Sequence, residues 1–338
     1  MKIKTLCTIA LAGLLAMCLC ACGNGAVEIK NPETGISEYA YLAETLPDQD
    51  RAELDAVLSA FELALETQSA TELMQFVNAS FTADDATLTA FFKGVTEDGS
   101  SYAKYDDYYV SGMKVEETPV LIKKTAESEN SVQVVPAGKE MYVALYAGDT
   151  SAKVNSMISL VCTKQGGNWY IAWIDISDYQ YNGEDAPALY ARAKAAYEKG
   201  EVMPALVLAQ MTASTATPGN ALYYASADAI QEFVYEVATE GLKDYPLPMS
   251  LSVSGVTLRS VATAKTEYGV IPMFFYSSET PIANRAAIEK EATRVYRAIG
   301  KTFPGTIEAF PQAELRVTND DPETNENFEY ETILVSLD

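Results

Sequence analysis

The sequence predicts an α+β protein, and three observations carry that prediction. Apolar residues recur at helical spacing between residues 50 and 92. Six short runs with strand character then follow between residues 108 and 176. The same grouping of helix and strands returns after residue 226. Helices and strands that come in blocks, rather than in strict alternation, point to antiparallel sheets with helices packed against them. The 338 residues are 48% apolar and 21% charged, an ordinary globular composition. At roughly 150 residues per domain the length predicts about two domains.

The chain opens with Lys2 and Lys4, followed by an uncharged, mostly apolar run of 16 residues from Leu6 to Ala21. That run has the length of a signal-peptide core and falls short of the roughly 20 residues a membrane-spanning helix needs. It ends in Leu19-Cys20-Ala21-Cys22, an aliphatic residue and a small residue before a cysteine. This resembles the lipobox of bacterial lipoproteins, with Cys20 an unusual residue inside it. The resemblance implies cleavage after Ala21 and diacylation of Cys22, which supplies the two chains that stable anchoring requires. It also implies export and attachment to the outer face of the cell membrane, in the style of a Gram-positive host. Removing residues 1–21, which carry two positive charges and no negative ones, takes the net charge from −23 to −25. Cys7, Cys18 and Cys20 leave with that segment and Cys22 carries lipid, so Cys162 is the remaining thiol. It lies in an apolar strand pattern and is expected to be buried and inert.

Residues 22–48 read as a tether, rich in turn formers and without periodicity. A first domain is expected over 49–178. Asp50 with Glu53 gives a capping-box-like start, and Leu54, Val57, Leu58, Phe61 and Leu65 form one helical face. Ser69 and Glu72 start a shorter helix through Phe76 and Val77. A third helical piece begins near Thr82 and carries Leu88, Phe91 and Phe92. Strands are expected at Tyr108–Val115, Val120–Lys124, Ser131–Val135, Met141–Ala147, Met157–Lys164 and Asn168–Ile176. Gln165-Gly166-Gly167 is a hairpin signal between the last two. The opening helix, with Phe61 and Leu65 before Thr67-Gln68-Ser69, and the closing Gly167-Asn168-Trp169-Tyr170-Ile171 strand resemble NTF2-like domains. The resemblance implies a cone, a curved sheet wrapped around an N-terminal helix. That family includes enzymes and non-catalytic binding domains, so the fold alone does not decide function.

Residues 179–225 read as a helical connector. Tyr197, Gly200, Ala205 and Pro218 follow an order similar to one tetratricopeptide repeat, but a solenoid needs about three repeats, and a plain helical hairpin explains the segment as well. A second α+β domain is expected over 226–338. It has a helix carrying Ile230, Phe233, Val234 and Val237, and strands near Ser250–Ser254, Thr257–Lys265 and Val270–Ser277. Pro272 marks the last of these as an edge or bulged strand. Thr280-Pro281 reads as a helix start, with Ile288, Ala292, Val295, Ile299 and Phe303 on one face. Ala313–Thr318 and Phe328–Leu337 close the domain as strands.

The chain has no histidine, which excludes Ser-His-Asp and Cys-His nucleophiles and any His-ligated zinc. A net charge of −23 repels phosphate backbones, so no nucleic-acid partner is expected. There is no Gly-rich phosphate loop, and no cofactor is expected. Strand alternation puts Trp169, Ile171, Trp173 and Asp175 on one face, and Tyr142 and Tyr146 on one face of another strand. If those faces meet inside the cone, they make an aromatic ligand pocket with one carboxylate at its mouth. Equally, the aromatics are core and Asp175 is a solvated strand end. Ser101 and Lys104 have the S-x-x-K spacing of penicillin-binding proteins and β-lactamases, without that family's companion motifs. The Tyr102–Tyr109 segment is dense in tyrosine and aspartate and reads as a contact surface or as an ordinary loop. The acidic 319–327 loop has oxygen ligands for calcium but no EF-hand spacing, so no metal is assigned.

The resulting expectation is a lipid-anchored binding or scaffolding lipoprotein of the cell envelope, non-enzymatic, with an envelope protein or a small ligand as partner. The alternative is a carboxylate-dependent hydrolase or lyase acting on an envelope or sugar substrate. Substrate delivery to a transporter is a third reading, against which the chain lacks a repeating two-lobed βα pattern.

Overall fold

The computed structural model describes residues 40–77, 81–97, 99–113, 118–149, 152–320 and 328–337. The signal segment, Cys22, most of the expected tether and residues 321–327 of the acidic loop lie outside them. The described chain is α+β and divides into two compact units. The first holds residues through Gly183 together with Thr215–Ala227, and the second holds Glu184–Ser214 and Asp228 onward. The expected connector is therefore shared: its helical hairpin belongs to the second unit and its last turn returns to the first.

In the first unit, β1 (Ala40–Leu42), β3 (Val120–Lys123), β4 (Ser131–Val134) and β8 (Leu222–Tyr223) form one sheet in the order β1-β3-β4-β8. β1 pairs parallel with β3, so residues 40–42, expected within the tether, are part of the fold. The larger sheet has the order β2-β5-β6-β7, from β2 (Tyr102–Val110), β5 (Met141–Gly148), β6 (Val154–Gln165) and β7 (Asn168–Tyr181). All its pairs are antiparallel. Gly166 and Gly167 both take positive φ, 60° and 94°, as a two-residue hairpin with the right twist requires.

Helix α1 (Asp48–Thr67) lies against one face of this sheet through Leu54, Val57, Phe61, Ala64 and Leu65. It starts two residues before the expected capping box. Asp50 is buried within its first turn and meets Lys164, instead of capping the helix. The expected second helix is only a 3-10 turn at Leu73–Phe76. Helix α2 (Asp85–Val95) is capped by Asp84, whose side chain accepts from Thr87 N. Strand β2 begins at Tyr102, six residues before the expected strand, so the Tyr-Asp segment is strand and not loop.

In the second unit, α3 (Ala186–Glu198) and α4 (Val202–Ser214) form the hairpin, followed by α5 (Ala227–Glu236). The sheet order is β13-β12-β11-β10-β9, from β9 (Met249–Ser250), β10 (Val256–Thr266), β11 (Gly269–Ser278), β12 (Gln312–Thr318) and β13 (Glu331–Ser336). β11 is central rather than an edge. Pro272 is tolerated because the β12 ladder begins one residue later, at Met273. β11 and β12 run parallel, and α6 (Arg285–Thr302) with the short α7 (Thr306–Ala309) supplies the crossover that parallel pairing needs. α6 starts at Arg285, not at Pro281, because the Asn284 side chain accepts from Ala287 N and caps it.

Candidate functional site

The register of the larger sheet decides which side chains share a face. Directly opposed residues of an antiparallel pair point the same way, so Tyr109, Tyr142 and Cys162 line up beneath α1. Tyr146 does the same beside Ile158. Phe61 of α1 sits on this layer, its ring centroid 4.9 Å from that of Tyr146 and 5.8 Å from that of Phe92. Tyr142, Tyr146 and Trp169 are 4%, 1% and 2% exposed. The space expected to hold a ligand is filled by these rings.

Each phenol reaches a carboxylate at the margin of the layer. Tyr142 donates to Asp107 at 2.8 Å, Tyr146 to Glu62 at 3.1 Å and Tyr109 to Glu140 at 3.2 Å. Burial pushes all three phenols up, the neighbouring carboxylates adding to it, and Tyr109 reaches about 12. They are therefore neutral donors at physiological pH. Burial likewise raises the Cys162 thiol far from its reactive range. Asp107 is half-buried, which would raise it. Hydrogen bonds from Lys104 and Tyr142 and the charges of Lys104 and Lys124 outweigh that and hold it below its usual value. Lys104, the lysine of the S-x-x-K spacing, is thus committed to Asp107 at 2.9 Å. The Trp169 indole N–H is buried without a hydrogen-bond partner among the described residues.

Trp173 and Asp175 do not join this layer. Ile171 faces Cys162 and Trp173 faces Val161, so Ala172 is an extra residue in β7. A bulge of this kind reverses which face later residues occupy. Ile174 and Ile176 consequently pack toward α1, while Trp173, Asp175 and Ser177 point to the opposite face. There Ser177 donates to Thr217 O at 2.9 Å and Ser159 to Gly219 O at 2.6 Å. Burial raises the Asp175 carboxyl, and a hydrogen bond with Asn220 pulls the other way. Tyr142, Tyr146 and Trp169 are thus on one face of the sheet, and Trp173 and Asp175 on the other.

The first unit does carry an open cleft, of about 520 Å³, where the end of α2 meets the end of the sheet. Gly94, Val95 and Glu97 form one wall. Tyr102 of β2, Asn155 and Ser156 of β6, and Ile176 and Asp178 of β7 form the other. Tyr102 and Ser156 share a hydrogen bond of 2.6 Å between hydroxyls. Asn155 is fixed by donating to Gly148 O at 3.1 Å. The lining offers hydroxyls, an amide and two carboxylates, and among the described residues no cation lines it. It is equipped to hydrogen-bond a polar ligand. Sequence reasoning missed it because the residues come from four separate segments. A second bulge in β7, between Asp178 and Gln180, also sets its facing.

Among the described residues no group of three or more His, Cys, Asp or Glu side chains could hold a metal ion. Asn319 of the acidic loop is engaged in donating to Ser278 O and Thr280 O. Among the described residues no helix is long and apolar enough to cross a membrane. No protein-family model matches the chain, and no curated protein matches it.

Proposed function

We propose that the chain is a lipid-anchored, extracytoplasmic binding protein of the bacterial cell envelope, held through Cys22 and not an enzyme. Its first unit is an NTF2-like domain whose end cleft takes a hydroxyl- and amine-bearing ligand of amino-sugar type. The observation that supports this reading is the cleft itself. Ser100, Tyr102, Asn155 and Ser156 offer neutral donors and acceptors, and Glu97 and Asp178 favour a positively charged group. α1 laid on an antiparallel sheet supports the NTF2-like reading. The Leu19–Cys22 motif supports the anchor. Asp175, the carboxylate of the sequence-expected pocket, lies on the opposite face from the cleft.

The test is calorimetric titration with a glucosamine trimer and with its N-acetylated counterpart. The amine-bearing trimer is expected to bind more tightly, and Asp178→Asn and Ser156→Ala are each expected to weaken it several-fold. Absence of binding by both trimers would refute the cleft assignment. For the anchor, metabolic labelling with palmitate is expected in the wild type and lost in Cys22→Ala.

A further inference from the structure

The second unit holds a basic cleft that nothing in the binding reading uses. Along α6, Lys290, Arg294, Arg297 and Lys301 recur at spacings of four, three and four residues. That rhythm keeps all four on one side of a helix, and all four are exposed. Arg285, at the start of the same helix, is paired with Glu289 and Glu331. Arg294, Arg297 and Lys301 have no ion-pair partner among the described residues. The chain carries 47 acids against 24 bases, so three adjacent unneutralised cations run against its composition. They also repel one another at these helical spacings. A bound anion would relieve that repulsion.

With Ser252, Val253, Ser254 and Ala298 the three cations line an open cleft of about 320 Å³ between α6 and the turn that leads into β10. That turn is held by Val256 N donating to Val253 O at 3.2 Å, and Gly255 takes a positive φ of 70°. Glu279 is the carboxylate beside Gly255, and it forms no ion pair with the three cations. Two guanidinium groups one helical turn apart present paired N–H donors to a planar or tetrahedral oxyanion. Lys301 adds a point charge, and Ser252 and Ser254 add hydroxyl donors.

We infer that the cleft formed by Arg294, Arg297, Lys301 and the Ser252–Ser254 turn is a binding site for a phosphate group. The group is either a free phosphate or phosphate ester, or the headgroup of an anionic phospholipid. The local field of the cleft, not the net charge of the chain, decides this binding, because charges beyond about 8–10 Å are screened at physiological salt.

The test uses the purified protein in two arms. In one, inorganic phosphate is titrated while amide signals of the Ser252–Gly255 turn and of α6 are followed. In the other, the protein is sedimented with phosphatidylglycerol or phosphatidylcholine vesicles. Saturable shifts on the turn with phosphate identify the free anion as a sufficient ligand. Binding confined to phosphatidylglycerol vesicles identifies the headgroup as the source. In either case Arg294→Gln/Arg297→Gln/Lys301→Gln is expected to weaken binding at least tenfold, and Arg297→Gln alone severalfold. Lys290→Gln, on the same stripe but outside the cleft, is expected to leave phosphate affinity within about twofold. All these side chains are exposed, and a matching thermal midpoint verifies folding. The inference is overturned if neither arm shows binding or if the triple variant binds like the wild type. A loss in Lys290→Gln as large as in the triple variant overturns it as well.

Discussion

The Lys164 ammonium lies 2.6 Å from Asp50 Oδ1, tying the hairpin end of β6 to the first turn of α1. The two side chains are 15% and 6% exposed, and Glu140 stands 3.6 Å from the same ammonium. The hydrogen bond to Asp50 is the main cause of a raised lysine pKa, against the opposing effect of burial. Asp50→Ala leaves Lys164 with the longer Glu140 contact alone and is expected to cost about 1–3 kcal/mol in urea unfolding. The sign with pH follows from the raised value. The contribution is complete below the ordinary 10.5 and is lost as pH climbs through the folded value. Wild type and variant should therefore converge in stability as pH rises through that raised folded value.

Tyr146 separates a core role from a ligand role. Its ring packs on Phe61 and its hydroxyl donates to Glu62. Tyr146→Phe removes one partly buried hydrogen bond and is expected to cost about 0.5–1.5 kcal/mol. Tyr146→Ala opens a cavity under α1 and is expected to cost about 3–5 kcal/mol, like other large aromatic truncations. Chemical denaturation of both variants measures the difference. A ligand-contact tyrosine at a solvated pocket wall would show little loss in either variant.

Gly219 is fixed by two constraints at once. Its φ is +61°, and a Cβ there would stand 3.1 Å from Ser159 N and 3.3 Å from Ser159 Cβ. Its carbonyl accepts from the Ser159 hydroxyl at 2.6 Å. Gly219→Ala combines left-handed strain with a crowded contact and is expected to cost about 1–3 kcal/mol. Ser159→Ala removes only the hydrogen bond and should cost about 1 kcal/mol. Thermal unfolding of the two variants gives the ordering.

Much of the architecture is legible in the sequence, and the candidate site is not. The α1 face from Leu54 to Leu65 and the Gly166-Gly167 turn follow from local periodicity and backbone chemistry alone. Asp50 misleads, because an acid at a helix start reads as a cap and its partner Lys164 is 114 residues away. Pro272 misleads for a related reason: its tolerance depends on where the β12 ladder begins. Trp173 and Asp175 are misplaced because strict alternation holds only until a bulge, and nothing in Ile171-Ala172-Trp173 announces one. The cleft of Tyr102, Ser156 and Asp178 depends on two such irregularities and on the end of α2. Its chemistry is therefore assembled by register rather than by motif.

Asp175 gives the test of which side of that bulge matters. Burial raises its carboxyl above the ordinary 3.8, with the Asn220 hydrogen bond opposing the shift. For a carboxyl raised on folding, the native state favours the neutral form. The contribution to stability is favourable below 3.8 and is lost as pH rises through the folded value. At neutral pH the ionised group is therefore a cost of the fold. Asp175→Asn keeps the shape and an acceptor for Asn220 while removing the charge. It is expected to raise the thermal midpoint at pH 7 by on the order of 1–3 °C, the response of a domain of this size to under about 1 kcal/mol. At pH 3, where the wild-type group is largely protonated, the two proteins should melt together. A midpoint lowered at pH 7 would instead mean that the Asn220 contact needs the full negative charge. The 218–220 turn would then be held to the outer face of β7 by that charge and not by shape.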